Sequence, residues 1–250
     1  MSFYFADKTW VELEGCIKDG AVVILPVGTT EEHGRHLPVA TDAIIARRFG
    51  DELGKALDGK VPFLVMETIN YGYSMSIIRK WPGCPNISPR TFADYIYSIV
   101  DSLIGMGFRK IVALDCHGNH DCLLRLVMRE IADKHNIFMM TLSPSRLSDG
   151  LYNKIKDDSE GDIHGGEWET SWVLAIAPEL VKTGEYTSID AVRCNSVLRG
   201  PVSTWGLQET KTGLFGDPSS ATAEKGLALI REATEQGVKC IIQYFEQAGK

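Results

Sequence analysis

Residues 21–27, AVVILPV, form a nearly unbroken apolar run near the start of the chain. A strand with one face in water alternates apolar and polar residues. An unbroken run of this length is expected of a strand covered on both faces, as in a parallel sheet with helices above and below. Three further segments read as strands: 61–66, 110–115 (KIVALD) and 137–142. Helical patterns lie between them. Thr9 and Glu12 have the spacing of a capping box that opens a short first helix. From about Asp42, the residues Ile45, Phe49 and Leu53 recur at intervals of four. Ser88-Pro89 reads as an N-cap and first helical residue, followed by the stripe Phe92, Ile96, Ile99, Val100 and Leu103. Leu124, Val127 and Ile131 mark the inner face of the next helix. Another helix is expected to begin near Gly165, with Trp168, Trp172 and Ile176 on one face. The last runs from about 222 to 245, with Leu227, Ile230, Thr234, Val238, Ile241 and Phe245 three or four apart. The alternation predicts one α/β domain over residues 1–250: a three-layer sandwich with a mostly parallel central sheet and helices on both faces. Ligands of such sheets bind beyond the carboxyl ends of the strands.

Composition narrows the function classes. With 26 basic and 33 acidic residues the formal net charge is −7, which argues against nucleic-acid binding through a basic surface. No apolar run approaches the roughly 18 residues that span a bilayer, so no membrane partner is expected. The opening MSFYFADKTW lacks the order of a secretion signal. The six cysteines include no CxxC pair, against a zinc finger, a thioredoxin-type site or a disulfide scaffold. A cytoplasmic protein with reduced thiols is expected.

Five of the six histidines fall in three short polar clusters, two of them just past expected strand ends. The first holds Glu31, Glu32, His33, His36 and Asp42. The second is Asp115-Cys-His-Gly-Asn-His-Asp121. The third is Asp162-Ile-His-Gly-Gly-Glu-Trp-Glu-Thr-Ser171. Imidazole and carboxylate are common donors to zinc and manganese. Each cluster alone also reads as a solvated loop or helix start: Thr41 or Asp42 would cap one helix, and Glu167 and Glu169 would face the positive end of another. Taken together, histidines repeated beside carboxylates at element ends favour a metal site. No HExxH, GxxxxGK[ST], GxSxG or strand-linked GxGxxG competes with it.

At these clusters the chain resembles the creatininase (creatinine amidohydrolase) family. The segments concerned are Glu31-Glu32-His33-Gly34-Arg35-His36-Leu37-Pro38 with Asp42, Cys116-His117-Gly118-Asn119, and His164-Gly165-Gly166-Glu167-Trp168-Glu169-Thr170-Ser171. Residues 213–226 are similar to the family's C-terminal signature, and Tyr71-Gly72 and Pro82-Gly83 to a middle segment. The resemblance implies two divalent ions per subunit, zinc and/or manganese, with iron also suited to such donors. Carried over by position, Glu31 and His117 would hold one ion, His33 and Glu169 the other, and Asp42 would bridge them. His164 would be the acid/base residue, with Glu167 counted beside it as a catalytic candidate. His36, Ser74, Gly118, Asn119 and Trp168 are candidate substrate contacts. Relatives are commonly oligomeric, so a homo-oligomer, a hexamer in particular, is expected.

The resulting expectation is a dinuclear metal-dependent hydrolase acting on a small molecule. It would cleave a C–N bond of a cyclic amide or formamide by metal-activated hydroxide. Two departures point away from creatinine itself. Asn119 stands where creatinine-cleaving members carry an acid, and residues 122–163 contain no tryptophan to clamp a flat ring. Two alternatives stay open: a ring-opening hydrolase of a cyclic ketone such as 3-dehydro-scyllo-inosose, and a non-enzymatic binding protein on a hydrolase scaffold. Aromatic groups at the site would favour a flat heterocycle; hydroxyl-binding groups such as Asn119, His120 and Arg79 would favour a polyol-derived ring.

Overall fold

A computed structural model describes residues 2–157, 162–186 and 210–248. Within them the apolar run becomes strand β1 (Val22–Val27), buried along its whole length. It pairs in parallel with β2 (Phe63–Val65) on one side and β3 (Lys110–Asp115) on the other; β4 (Met140–Leu142) adds to β3. The sheet is four-stranded, all parallel, in the order β2-β1-β3-β4.

The helices are α1 (Trp10–Lys18), α2 (Thr41–Leu57), α3 (Pro89–Met106), α4 (Asp121–His135), α5 (Pro144–Ile155), α6 (Glu167–Ile176) and α7 (Ala223–Gln247). Period-two alternation along β1 divides its side chains between two cores. Val22 and Ile24 pack with Phe49 and Leu53 of α2, Trp172 of α6 and Leu229 and Ile241 of α7. Val23, Leu25 and Val27 pack with Phe92, Ile96 and Val100 of α3 and Leu124 and Val127 of α4. The result is the three-layer α/β sandwich that the apolar run implies.

Local signals hold where side chains make them. Thr9 and Glu12 form both halves of the capping box. The Ser88 hydroxyl accepts the Thr91 amide, with Pro89 in the first turn of α3. Elsewhere the structure differs. The outer strands are shorter than expected, three residues each. Ala40, rather than Thr41 or Asp42, caps α2, because the Thr41 hydroxyl donates to Pro38 O and Asp42 turns toward the histidines. On α7, Leu227 is exposed and the inward stripe runs through Leu229, Ile230 and Ala233. Residues two apart on a helix face nearly opposite ways, so Leu227 and Leu229 cannot share the core face. Cys16, Cys84, Cys116, Cys122 and Cys240 are free thiols; Cys194 lies outside the described residues. No helix among the described residues is long and apolar enough to cross a membrane.

Candidate metal centre

In register, Val27 at the end of β1 sits opposite Asp115 at the end of β3. The loops that follow carry the first two histidine clusters, so both rise from one edge of the sheet. The next residue, Gly28, is pressed against the start of α2, where a Cβ would come within 2.6 Å of the Ala43 amide nitrogen. That close approach delivers Asp42 to the strand end. The first turn of α6 brings Glu169 from the other side.

All five expected ligands meet here. Asp42 Oδ1 lies 3.1 Å from His33 Nε2, and its Oδ2 lies 2.9 Å from His117 Nδ1. Glu31 Oε1 is 3.3 Å from His117 Nδ1, and Glu169 Oε1 is 3.8 Å from His33 Nε2. Backbone partners orient His33, His117 and Glu169. His33 Nδ1–H donates to Glu31 O (3.1 Å) and His117 Nε2–H to Tyr73 O (3.0 Å), so the other ring nitrogens face the carboxylates. The Gly165 amide donates to Glu169 Oε2 at 2.6 Å. Ligand atoms fall into three groups within 4.8 Å: Glu31 with Asp42 and His117, His33 with Asp42 and Glu169, and Glu31 with His33 and His164.

Charge is the problem this arrangement poses. Glu31 Oε1 and Oε2 and Asp42 Oδ2 are buried and accept no hydrogen bond. Buried carboxylates persist only when cations compensate them. With protons as the only counter-charge, the histidines take them up. Burial opposes a charge on His117, but Glu31 and Asp42 outweigh it and push its pKa up to about 9. His33 is raised well above its ordinary value in the same way, against burial, by Asp42 and Glu169. Burial would raise Asp42; His33 and His117 instead hold it below the usual carboxylate range. The donor set, its spacing and its unsatisfied oxygens therefore fit divalent cations.

His164 stands beside this group. Its Nε2–H donates to Glu32 O at 2.6 Å, and Nδ1 lies 3.6 Å from Glu31 Oε1. Its pKa is raised: burial and the neighbouring His33 oppose the charge, and Glu32 and Glu31 outweigh them.

Glu167 is not brought to the group. It is fully buried, bonded to Lys225 Nζ and to the amide of Asp157. His36 is also buried; its Nε2 meets the Thr170 hydroxyl at 2.9 Å, and burial lowers its pKa to about 4. Ser74 is buried, with its amide donated to Asn86 Oδ1. Asn119 approaches His117 Nε2 to 3.3 Å. Gly118 and Trp168 line a cavity of about 360 Å3 that opens beside His117 and Glu169. The far wall of that cavity is α5, through Ser145, Arg146, Tyr152 and Asn153, none singled out from the sequence. A signal was present: Ser143-Pro144 repeats the Ser-Pro helix start of α3. Arg79 and His120 do not line this cavity.

A parallel α/β sandwich with a carboxylate–histidine cluster at its strand ends defines a metal-dependent hydrolase. The family model for creatininase, described as creatinine amidohydrolase, matches residues 6–241, and the chain belongs to that family. It is 25% identical to the 3-dehydro-scyllo-inosose hydrolase of Thermotoga maritima, over 98% of this chain and 81% of that protein. It is 26% identical to the creatinine amidohydrolase of Pseudomonas putida, over 95% of each. The manganese form of creatininase has the same fold, with a TM-score of 0.84 and 22% identity over 98% of this chain and 99% of that one.

Proposed function

We propose that this chain hydrolyses a C–N bond of a small cyclic amide or formamide with two divalent ions, zinc and/or manganese, iron being chemically admissible. The observation that carries the reading is Asp42, whose two oxygens face different histidines, each flanked by a further carboxylate. Glu31 and His117 would hold one ion, His33 and Glu169 the other, and Asp42 both. Such ions supply a Lewis acid for a carbonyl and lower the pKa of a water nucleophile.

The chain's own groups supply the rest. Glu31, Asp42 and Glu169 bring three negative charges to a buried site. His164, anchored through Nε2–H, presents Nδ1 toward Glu31, where it can carry a proton to the leaving nitrogen. Trp168 gives the cavity an apolar wall that limits water beside the reacting bond.

A second reading keeps the site and changes the bond: opening of a polyhydroxylated cyclic ketone such as 3-dehydro-scyllo-inosose. The cavity favours it in one respect, since Ser145, Arg146, Tyr152 and Asn153 offer hydrogen bonds, whereas Trp168 is the one indole on the wall among the described residues. The deciding experiment is a turnover screen of the zinc- and the manganese-reconstituted protein with cyclic amides, formamides and inosose derivatives. C–N cleavage supports the first reading and ring opening the second. Two bound ions with no turnover on any of them would overturn both. A cytoplasmic homo-oligomer, hexameric, belongs to the same proposal; light scattering on the purified protein tests the subunit number.

A further inference from the structure

His120 has no task in the hydrolytic reading, yet it is completely buried. Its ring stacks on Phe92 (centroids 4.0 Å apart, planes at 18°) and meets His117 edge-on at 4.6 Å. Its Nε2 accepts the Tyr73 amide at 3.1 Å, which fixes the proton of the neutral ring on Nδ1. The carbonyl of the same residue, Tyr73, accepts His117 Nε2–H at 3.0 Å.

Three consecutive amides in this irregular segment are each taken by a side chain. Gly72 N–H donates to Thr29 Oγ1 (3.0 Å), Tyr73 N–H to His120 Nε2, and Ser74 N–H to Asn86 Oδ1 (2.8 Å). Space is made for the middle contact by Gly72: a Cβ there would stand 2.3 Å from His120 Nε2. The segment has no strand partner of its own at these residues, so side chains set where the Tyr73 carbonyl points.

We infer that His120 is a positioning residue for His117. By holding the Tyr73 amide it fixes the Tyr73 carbonyl, which in turn keeps the proton of His117 on Nε2 and turns Nδ1 toward Glu31 and Asp42. The inference rests on the reading that His117 holds an ion. Outer hydrogen-bond partners of metal-bound histidines are worth roughly 10- to 100-fold in metal affinity.

Two variants separate this role from packing. His120→Phe keeps a ring against Phe92 and loses the acceptor; His120→Gln loses the ring and keeps an acceptor near the Nε2 position. Chelator-treated protein is titrated with Zn2+, and exchange of the Tyr73 amide is followed by NMR in the protein without added metal. Wild type should take up two equivalents. His120→Phe should bind one of them roughly 10- to 100-fold more weakly and lose protection of Tyr73, while His120→Gln stays close to wild type in both. Wild-type affinity with a protected Tyr73 in the Phe variant would overturn the inference, as would equal damage from both substitutions. Failure of wild type to bind Zn2+ would overturn the metal reading instead, and the exchange data would still decide whether His120 holds Tyr73.

Discussion

Asp42 and His117 meet at 2.9 Å, Oδ2 to Nδ1, while the other Asp42 oxygen lies 3.1 Å from His33. One carboxylate thus links the two halves of the centre. Asp42→Asn removes a charge and turns one acceptor into a donor, so both halves should fail together. Glu31→Gln should weaken chiefly the half that contains His117. Metal analysis after dialysis should show Asp42→Asn losing both ions, with turnover falling by more than the roughly 100-fold upper range for an outer partner. Normal turnover in Asp42→Asn would sink the assignment of the centre.

His164 sits at the junction of two roles, since it lies within ligand distance of Glu31 and His33 and is also anchored for proton transfer. His164→Ala should retain the metal and lose about 100- to 10,000-fold in kcat, the usual range for a general acid or base. Loss of metal with the rate would make it a ligand.

The third cluster shows how far the residue pattern could be read. Glu167 and Glu169 stand two apart in one helix, about 200° around its axis, so only one of them can face the centre. A count of acidic residues near His164 cannot tell which. The choice depends on Lys225, far along the chain, whose ammonium reaches the Glu167 carboxylate. The polar clusters were legible because strand ends and short polar loops constrain them locally; which of their residues would hold an ion came from the family resemblance alone. The cavity wall was missed although α5 carries a readable period: Leu147, Leu151 and Ile155 recur every four residues and pack on the core, and Ser143-Pro144 marks the start. Which of its polar residues line the cavity depends on where α5 docks, which its own sequence does not fix. His120 was visible as a histidine in a cluster, but its hydrogen bond to Tyr73 crosses 47 residues of sequence.

Lys225 joins Asp157, Glu167 and the Ser220 carbonyl at the base of α6. Removing the ammonium leaves the buried Glu167 carboxylate without that partner. Lys225→Met should cost about 3 kcal/mol in denaturant unfolding, the lower end for a broken buried pair, and loosen the helix start that carries Glu169. Glu167→Gln should keep its metal and most of its turnover. Complete loss of kcat with full metal content would return Glu167 to a catalytic role.

Tyr244 ties the end of α7 to the sheet: its hydroxyl donates to Phe138 O at 2.8 Å and accepts the Ile111 amide at 3.1 Å. Burial pushes its pKa up to about 12 from 10.0, with the Ile111 contact acting weakly the other way. A pKa raised in the folded state means that the folded protein holds the proton more tightly. The stability this provides is complete below pH 10 and is lost as pH rises through about 12. Two pKa units correspond to roughly 3 kcal/mol. Tyr244→Phe cannot ionise, so the stability of wild type relative to this variant should be constant at neutral pH and fall between about pH 10 and 12. Chemical unfolding of both proteins over that range measures the difference. A flat difference would show that the hydroxyl ionises alike in both states and that its burial carries no such linkage.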